Sequence, residues 1–266
     1  LEALESGELD EARLDPDRWK AAAGPAFVDR ATKVMAPAWR SLHVAWNLNS
    51  PLFADRRVRR ALGYAFDHAR LQDTLCHGLA LPASGPFAPD SWISGRSRTE
   101  LARLEVDKAE ALLDEAGWID RDGDGIRDTE IEGRVVPFRF TVLCDRQPLH
   151  LAAAALLQEC LLRVGVQCSV RTVDSQSALA LLRDRDFEAC LVSWGGGVDP
   201  DSAADRWSST GSQNDCGYVN HDVDRLFAEG RRERDRDRRA EIYGRIHDIL
   251  AEDQPCTWLV WQQDAR

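Results

Sequence analysis

Asp120, Asp122 and Asp124, followed by Gly125 and then Asp128, place carboxylates at alternate positions around a sharp turn. Hard oxygen ligands at that spacing are what the first half of a calcium loop supplies. A complete twelve-residue loop closes on a bidentate glutamate, and that position is Ile131, with Glu130 and Glu132 on either side. Aspartate and glycine are also the residues that a metal-free turn selects, for local backbone bonding and positive φ. Both readings of the turn stand. A calcium ion held by Asp120, Asp122, Asp124 and Asp128 would be a structural clip rather than a switch.

A second group of residues follows an apolar strand, Phe187 to Ser193: Trp194, Gly195, Gly196, Gly197, Val198 and Asp199. In open α/β sheets ligands gather beyond the carboxyl ends of the strands. An indole beside backbone stripped of side chains offers an apolar plate next to exposed amides, which suits a small amphiphilic solute. The same residues also fit a core tryptophan followed by a glycine turn. A phosphate loop would sit in this place, but no Lys-Ser/Thr follows and no Gly-x-Gly-x-x-Gly spacing is made.

Other chemistries find less support. Nucleophilic catalysis needs a serine or cysteine at a strained turn, with a histidine and an orienting carboxylate. There is no Gly-x-Ser-x-Gly, and His43, His68, His77, His150, His221 and His247 occupy ordinary helix, strand or loop positions. The seven cysteines form no CxxC and have no histidine at zinc spacing, which disfavours a metal cluster. Cys144, Cys168, Cys190 and Cys256 fall in or beside apolar runs, where cysteine behaves as a small hydrophobe. A net charge of -11 disfavours nucleic acid, whose backbone needs a basic face. No apolar run approaches the ~20 residues that span a bilayer. The chain opens without methionine, basic segment or apolar signal core, and we expect a fragment, with any secretory signal lying upstream.

The elements that position these residues follow from periodicity. Residues 1–21 read as two short helices, the second starting near Asp15 and Pro16. Ala26 to Val34 and Leu42 to Leu48 alternate as strands, with Leu42, Val44, Trp46 and Leu48 on one face. Asp55 caps a helix with Val58, Leu62, Ala65 and Phe66 inward and Arg56, Arg57, Arg59 and Arg60 largely outward. A second helix runs to about Cys76, and residues 81–97 form a long irregular crossing. Asp107 opens a helix that Gly117 stops. Beyond the acidic turn, Val135 to Cys144, Val166 to Val173 and Phe187 to Ser193 are strands separated by helices at Leu149 to Arg163 and Ser175 to Arg183. Strand, helix, strand implies right-handed crossovers and parallel pairing, hence an α/β class. Two helices between Asp222 and Ala251 and a last strand, Thr257 to Trp261, complete one compact domain.

In order and spacing these blocks resemble the bacterial extracellular solute-binding proteins of the peptide, opine and nickel class (family 5), which deliver ligands to ABC importers. The carrying residues are Leu4 to Asp10; Val44 to Asn47; Phe53 to Asp67; Ala109 to Trp118 with the acidic turn; Gly217 to Leu226; Asp237 to Tyr243; and Glu252 to Pro255. The resemblance implies a periplasmic-binding-protein-like (type II) lobe with a mixed, mainly parallel sheet flanked by helices. It further implies that residues 1–266 are the C-terminal lobe of a two-lobed receptor, without catalysis or a required cofactor. Its location would be periplasmic or otherwise extracytoplasmic, its partners a solute and ABC permease subunits, its membrane contact only through the permease or an upstream lipid anchor. Ligand neighbours are expected at Trp194, Gly195, Gly196 and Gly197, with Trp46 and Asn47 at a hinge-side rim. Many peptide binders carry an aspartate soon after that tryptophan to hold the ligand's α-ammonium; here glycines take its place, and Asp199 reads as a helix-opening residue. The alternatives are a hydrolase of unidentified substrate and a calcium-dependent interaction module.

Overall fold

A computed structural model describes residues 2–21, 32–93, 95–99 and 103–266. Short helices α1 (Glu2–Glu5) and α2 (Pro16–Ala21) precede strand β1 (Met35–Trp46). Helix α3 (Arg56–Ala65) and the short α4 (His68–Arg70), continued by a π turn over Leu71–Leu75, lead to β2 (Ala80–Pro82). After the irregular crossing come α5 (Val106–Glu115), β3 (Asp128–Ile131), β4 (Arg134–Pro137) and β5 (Arg139–Cys144). Then α6 (Pro148–Leu162), β6 (Gln167–Thr172), α7 (Ser175–Arg183) and β7 (Ala189–Gly195) complete two crossovers. A 3-10 turn at Pro200–Ala203 leads into α8 (Ala204–Trp207), α9 (His221–Arg232), α10 (Arg236–Asp253) and β8 (Cys256–Ala265).

Six strands form one mixed sheet in the order β2-β8-β1-β7-β5-β6. The α/β class with flanking helices is as the sequence implies, but the sheet is not mainly parallel. β5 pairs parallel with β6 and β7, whereas β1 with β7, β1 with β8 and β2 with β8 are antiparallel. The crossover rule fixes direction only for strands joined through a helix. β1 and β8 come from distant parts of the chain, so alternation revealed that they are strands without revealing how they pair. The stretch from Val135 to Cys144 is likewise two strands. β4 turns back on β3 through Glu132 and Gly133, both at positive φ, as a two-residue hairpin requires. The Ala26 to Val34 strand falls largely outside the described residues, and residues 32–34 are irregular.

Side chains alternate along β1 between two cores. Leu42, Val44 and Trp46 enter one with Phe53, Phe138 and Phe140; Ala45 enters the other with Cys190, Val192, Trp194 and Trp258. Asp55 caps α3 by accepting from the Arg57 amide, as the sequence suggests. Arg59 departs from its expected outward place. It is buried, its guanidinium donating to the carbonyls of Phe53, Ala54, Asp253 and Gln254. An arginine that pairs with helix-end carbonyls can be buried where helical periodicity predicts solvent. All seven cysteines are buried and unpaired by disulfides.

The irregular crossing is pinned against α10 by His247. Its Nε2 lies 3.0 Å from Ser84 Oγ, and a Cβ added to Gly85 would come within 2.6 Å of that nitrogen. Burial pushes the His247 imidazole down to about 4, whereas an unfolded histidine protonates near 6.5. The folded chain therefore binds fewer protons than the unfolded chain between those values, and stability rises with pH across them. The contribution is complete above about pH 6.5 and is lost at about 1.4 kcal/mol per pH unit down to about pH 4. In urea unfolding at a series of pH values, His247→Gln should flatten that slope; an unchanged slope would place the titration elsewhere.

Candidate ligand-binding site

The C-terminal end of β7 carries Trp194 to where β1 bulges. Trp39 there sits at φ 50°, and the Gly196 amide donates to its carbonyl at 2.5 Å. Each glycine has a local reason. A Cβ on Gly196 would press on the Trp261 ring at 3.2 Å, and one on Gly197 would meet Ser202 Oγ at 2.4 Å. Gly195 stands open to solvent. Asp199 does open a helix: its carboxylate accepts from the Asp201 amide at the head of the 3-10 turn.

Trp194 is 7% exposed. The His43 ring lies 4.0 Å from it and the Arg206 guanidinium 4.0 Å, with Trp207 edge-on at 5.6 Å. It therefore serves as core and wall at once. Trp194 and the three glycines line a cavity of about 50 Å³, closed by Phe87, Ser91, Arg206, Trp258 and Trp261. The sequence reading missed these closing residues. Trp39 in β1 and Trp258 and Trp261 in β8 were visible as aromatic residues, but partners separated by some two hundred residues meet only through β1 pairing with β8.

Trp46 and Asn47 are not at this site. Trp46 pairs with Ala189 at the start of β7, whereas Trp194 pairs with Ser41, five residues along β1, roughly 17 Å at strand rise. Trp46 has no exposed surface, and its Nε1 donates to Thr257 Oγ1 at 3.1 Å. Asn47 donates to the carbonyls of Phe187 (2.7 Å) and Arg185 (3.1 Å), fastening the turn that enters β7. Both side chains have structural partners apart from the Trp194 cavity.

A larger polar groove, about 380 Å³, lies between α3, α10 and the irregular crossing. Several of its charges are paired: Arg60 with Glu252 at 2.8 Å and Lys108 with Glu105 at 3.5 Å, while Asp248 accepts from Ser97 and Thr99. Both this groove and the Trp194 cavity have buried polar atoms without a hydrogen-bond partner among the described residues: Gln254 Oε1 in the larger groove, and atoms of Ser91, Arg206 and Trp261 at the Trp194 cavity.

One cluster has the outline of a hydrolytic triad. His150 Nδ1 lies 2.7 Å from Asp145 Oδ1, and His150 Nε2 lies 2.8 Å from Ser193 Oγ. The Asp145 approach is close but off-line for a hydrogen bond, leaving Nδ1 without an aligned acceptor. Burial holds the imidazole below its ordinary pKa, against the pull of Asp145. Ser193 lies within β7 where it pairs with β1, and its oxygen also accepts from Gln262. An activated serine instead stands at a strained turn beside converging amides. The cluster ties β5, α6, β7 and β8 together.

At the acidic turn, Asp120, Asp122 and Asp124 bring one oxygen each to within 4.8 Å of one another. Asp120 accepts from the amides of Gly123 and Gly125, at 2.8 and 3.0 Å, and Asp124 Oδ2 pairs with Arg139. Asp128 does not belong with them. It opens β3, is buried, and is engaged by the Arg121 amide and guanidinium. Its alternate spacing matched a calcium ligand, but an arginine seven residues back reached it first. Ile131 lies in β3 and supplies no carboxylate.

The sheet thus carries helices on both faces and an aromatic cavity at the carboxyl end of β7. The family of bacterial extracellular solute-binding proteins, family 5 (middle region), matches residues 1–215, and the chain belongs to it. Oligopeptide-binding protein AppA of Bacillus subtilis is 28% identical over 228 residues, covering 83% of this chain and 41% of that protein. Its structure in complex with a nonapeptide superposes with a TM-score of 0.85 at 26% identity, over 99% of this chain and 52% of that one. The probable deoxycholate-binding periplasmic protein YgiS of Escherichia coli is 27% identical, over 85% of this chain and 41% of that protein. NikZ from Campylobacter jejuni, solved with Ni(L-His), shares the fold: TM-score 0.82, 23% identity, 99% of this chain and 52% of that one. The chain thus spans about half the length of these relatives.

Two measurements check these placements. Trp46→Ala should cost about 3–5 kcal/mol in urea unfolding, and a loss under about 1 kcal/mol would return Trp46 to a surface. Asp120→Ala should cost about 1–2 kcal/mol even in chelator, through its two amide bonds; a cost seen only with calcium present would mean that an ion holds the turn.

Proposed function

We propose that residues 1–266 are the C-terminal ligand-binding lobe of a two-lobed receptor. It captures a peptide-like or other small solute outside the cytoplasmic membrane and delivers it to the permease of an ABC importer. The observation that carries this reading is the cavity beside Trp194. Solute pockets are roughly 300–1,000 Å³, whereas this one is about 50 Å³, enough for the end of a solute. The remaining wall would come from a second lobe, in keeping with relatives about twice as long. Closure of two lobes on the solute would then select the form that the permease recognises. AppA and NikZ, named for or solved with a peptide and a nickel complex, support transport of a small solute. None of these relatives is named as a hydrolase or a calcium-dependent module.

Calcium enters this reading as a brace. Three converging carboxylates support it, and the distance in sequence from Trp194 separates it from solute choice. Calcium should raise the melting temperature and leave solute affinity unchanged.

The test is mass spectrometry of solute co-purified with the full-length protein, followed by titration of that solute against Trp fluorescence. Gly196→Val, which thrusts a side chain against Trp261, should weaken binding by about tenfold or more. Wild-type affinity in that variant would move the site away from β7.

A further inference from the structure

We propose that the Trp194 cavity takes the carboxylate end of a peptide-like solute, held by Arg206 with Ser91 and Trp261 as neutral donors. This rests on the solute-capture reading and adds which end of the solute this lobe holds.

Arg206 projects from α8, stacks over Trp194 and lines the cavity. Among the described residues it forms no ion pair; Nη2 donates to Gln213 Oε1 at 2.7 Å, and its buried Nε has no partner. Trp261, 4% exposed, presents an Nε1 proton that is also unpartnered, and the Ser91 hydroxyl is a third such group. An indole N–H and a guanidinium can only donate, and a hydroxyl can donate as well. The complement of a cation and two neutral donors is a group with acceptor oxygens and negative charge. Trp194, Trp207 and Trp258 supply apolar faces for the atoms behind it.

Two of the nearby acidic side chains that could instead attract an ammonium, Asp199 and Asp201, are committed. Asp199 is gripped by Arg239 through both oxygens, at 2.7 and 3.0 Å, which holds its carboxyl below the usual range. Asp201 accepts from Arg231 at 2.9 Å and from the Tyr243 hydroxyl at 3.1 Å. Asp215 is near enough to feel Arg206 but makes no ion pair with it, and burial raises its pKa. His43, against the other face of Trp194, is kept neutral by burial first and by Arg206 second. Among the residues lining the cavity Arg206 is the charged one, and it gives the cavity its positive sign.

A random tetra- and pentapeptide pool offers the test, split into an amine-acetylated half with free carboxylates and a carboxyl-amidated half with free ammonium groups. Each half is incubated with the full-length protein, and retained peptides are identified by mass spectrometry. The acetylated half should be retained at least about tenfold better. Arg206→Gln should abolish that preference, and Arg206→Lys, which keeps the charge but not the planar fork, should keep it at reduced affinity. Circular dichroism melts separate lost binding from lost folding, and Arg206→Lys decides if Arg206→Gln does not fold. Equal or better retention of the amidated half, or a preference that survives Arg206→Gln, overturns the proposal and leaves solute capture standing. Retention of neither half by the wild type overturns the peptide reading, and this proposal with it.

Discussion

Strand β1 is the constraint on which the rest of the molecule depends. It is hydrogen-bonded to β7 on one side and β8 on the other, and it sends alternate side chains into two separate cores. Full pairing leaves no backbone group of its middle to be satisfied by water, so both faces can be dry. Trp46 and Leu42 then anchor the helices α3 and α6 on one face, while His43 and Ala45 meet the tryptophan cluster on the other. The bulge at Trp39 ends this regular pairing just where β7 runs out. The cavity forms at that point because strand geometry stops and aromatic side chains cannot close the gap completely.

The handling of charge separates scaffold from site. Arg59 is 5% exposed and has no ion pair among the described residues, yet backbone carbonyls absorb its donors. Asp199, Asp201, Asp248 and Asp128 are likewise each surrounded by donors. Of six buried side-chain atoms without a partner among the described residues, three belong to Ser91, Arg206 and Trp261, which line one small cavity, and an unmet buried donor costs about 1–3 kcal/mol. Native structures keep few of them, and those they keep call for a reason.

Much of the scaffold was legible in the sequence because its signals are local. The Asp55 cap, the Gly117 stop, the α7 helix from Ser175 to Arg183 and the strands around Val142, Val170 and Leu191 all follow from capping chemistry and alternation. Trp194 and its glycines were legible as a strand end for the same reason. Arg59 and Asp128 were placed differently from expectation, and Asn47 found structural partners, because those partners lie elsewhere: carbonyls at the end of α10, a guanidinium across the turn, and the chain entering β7. Periodicity gives a side chain's direction but not what waits there.

The amino-acid sequence by itself determined the α/β class, the positions of most elements and the family, because helix periods, strand alternation and turn residues are short-range properties. Tertiary structure alone decided the antiparallel half of the sheet and the separation of Trp46 and Asn47 from the Trp194 cavity. It also decided the meeting of Arg206, Ser91 and Trp261 beside Trp194. Each of these depends on contacts between residues far apart in the chain, whose register is fixed only when β1 inserts between β7 and β8 and the two cores close on its opposite faces.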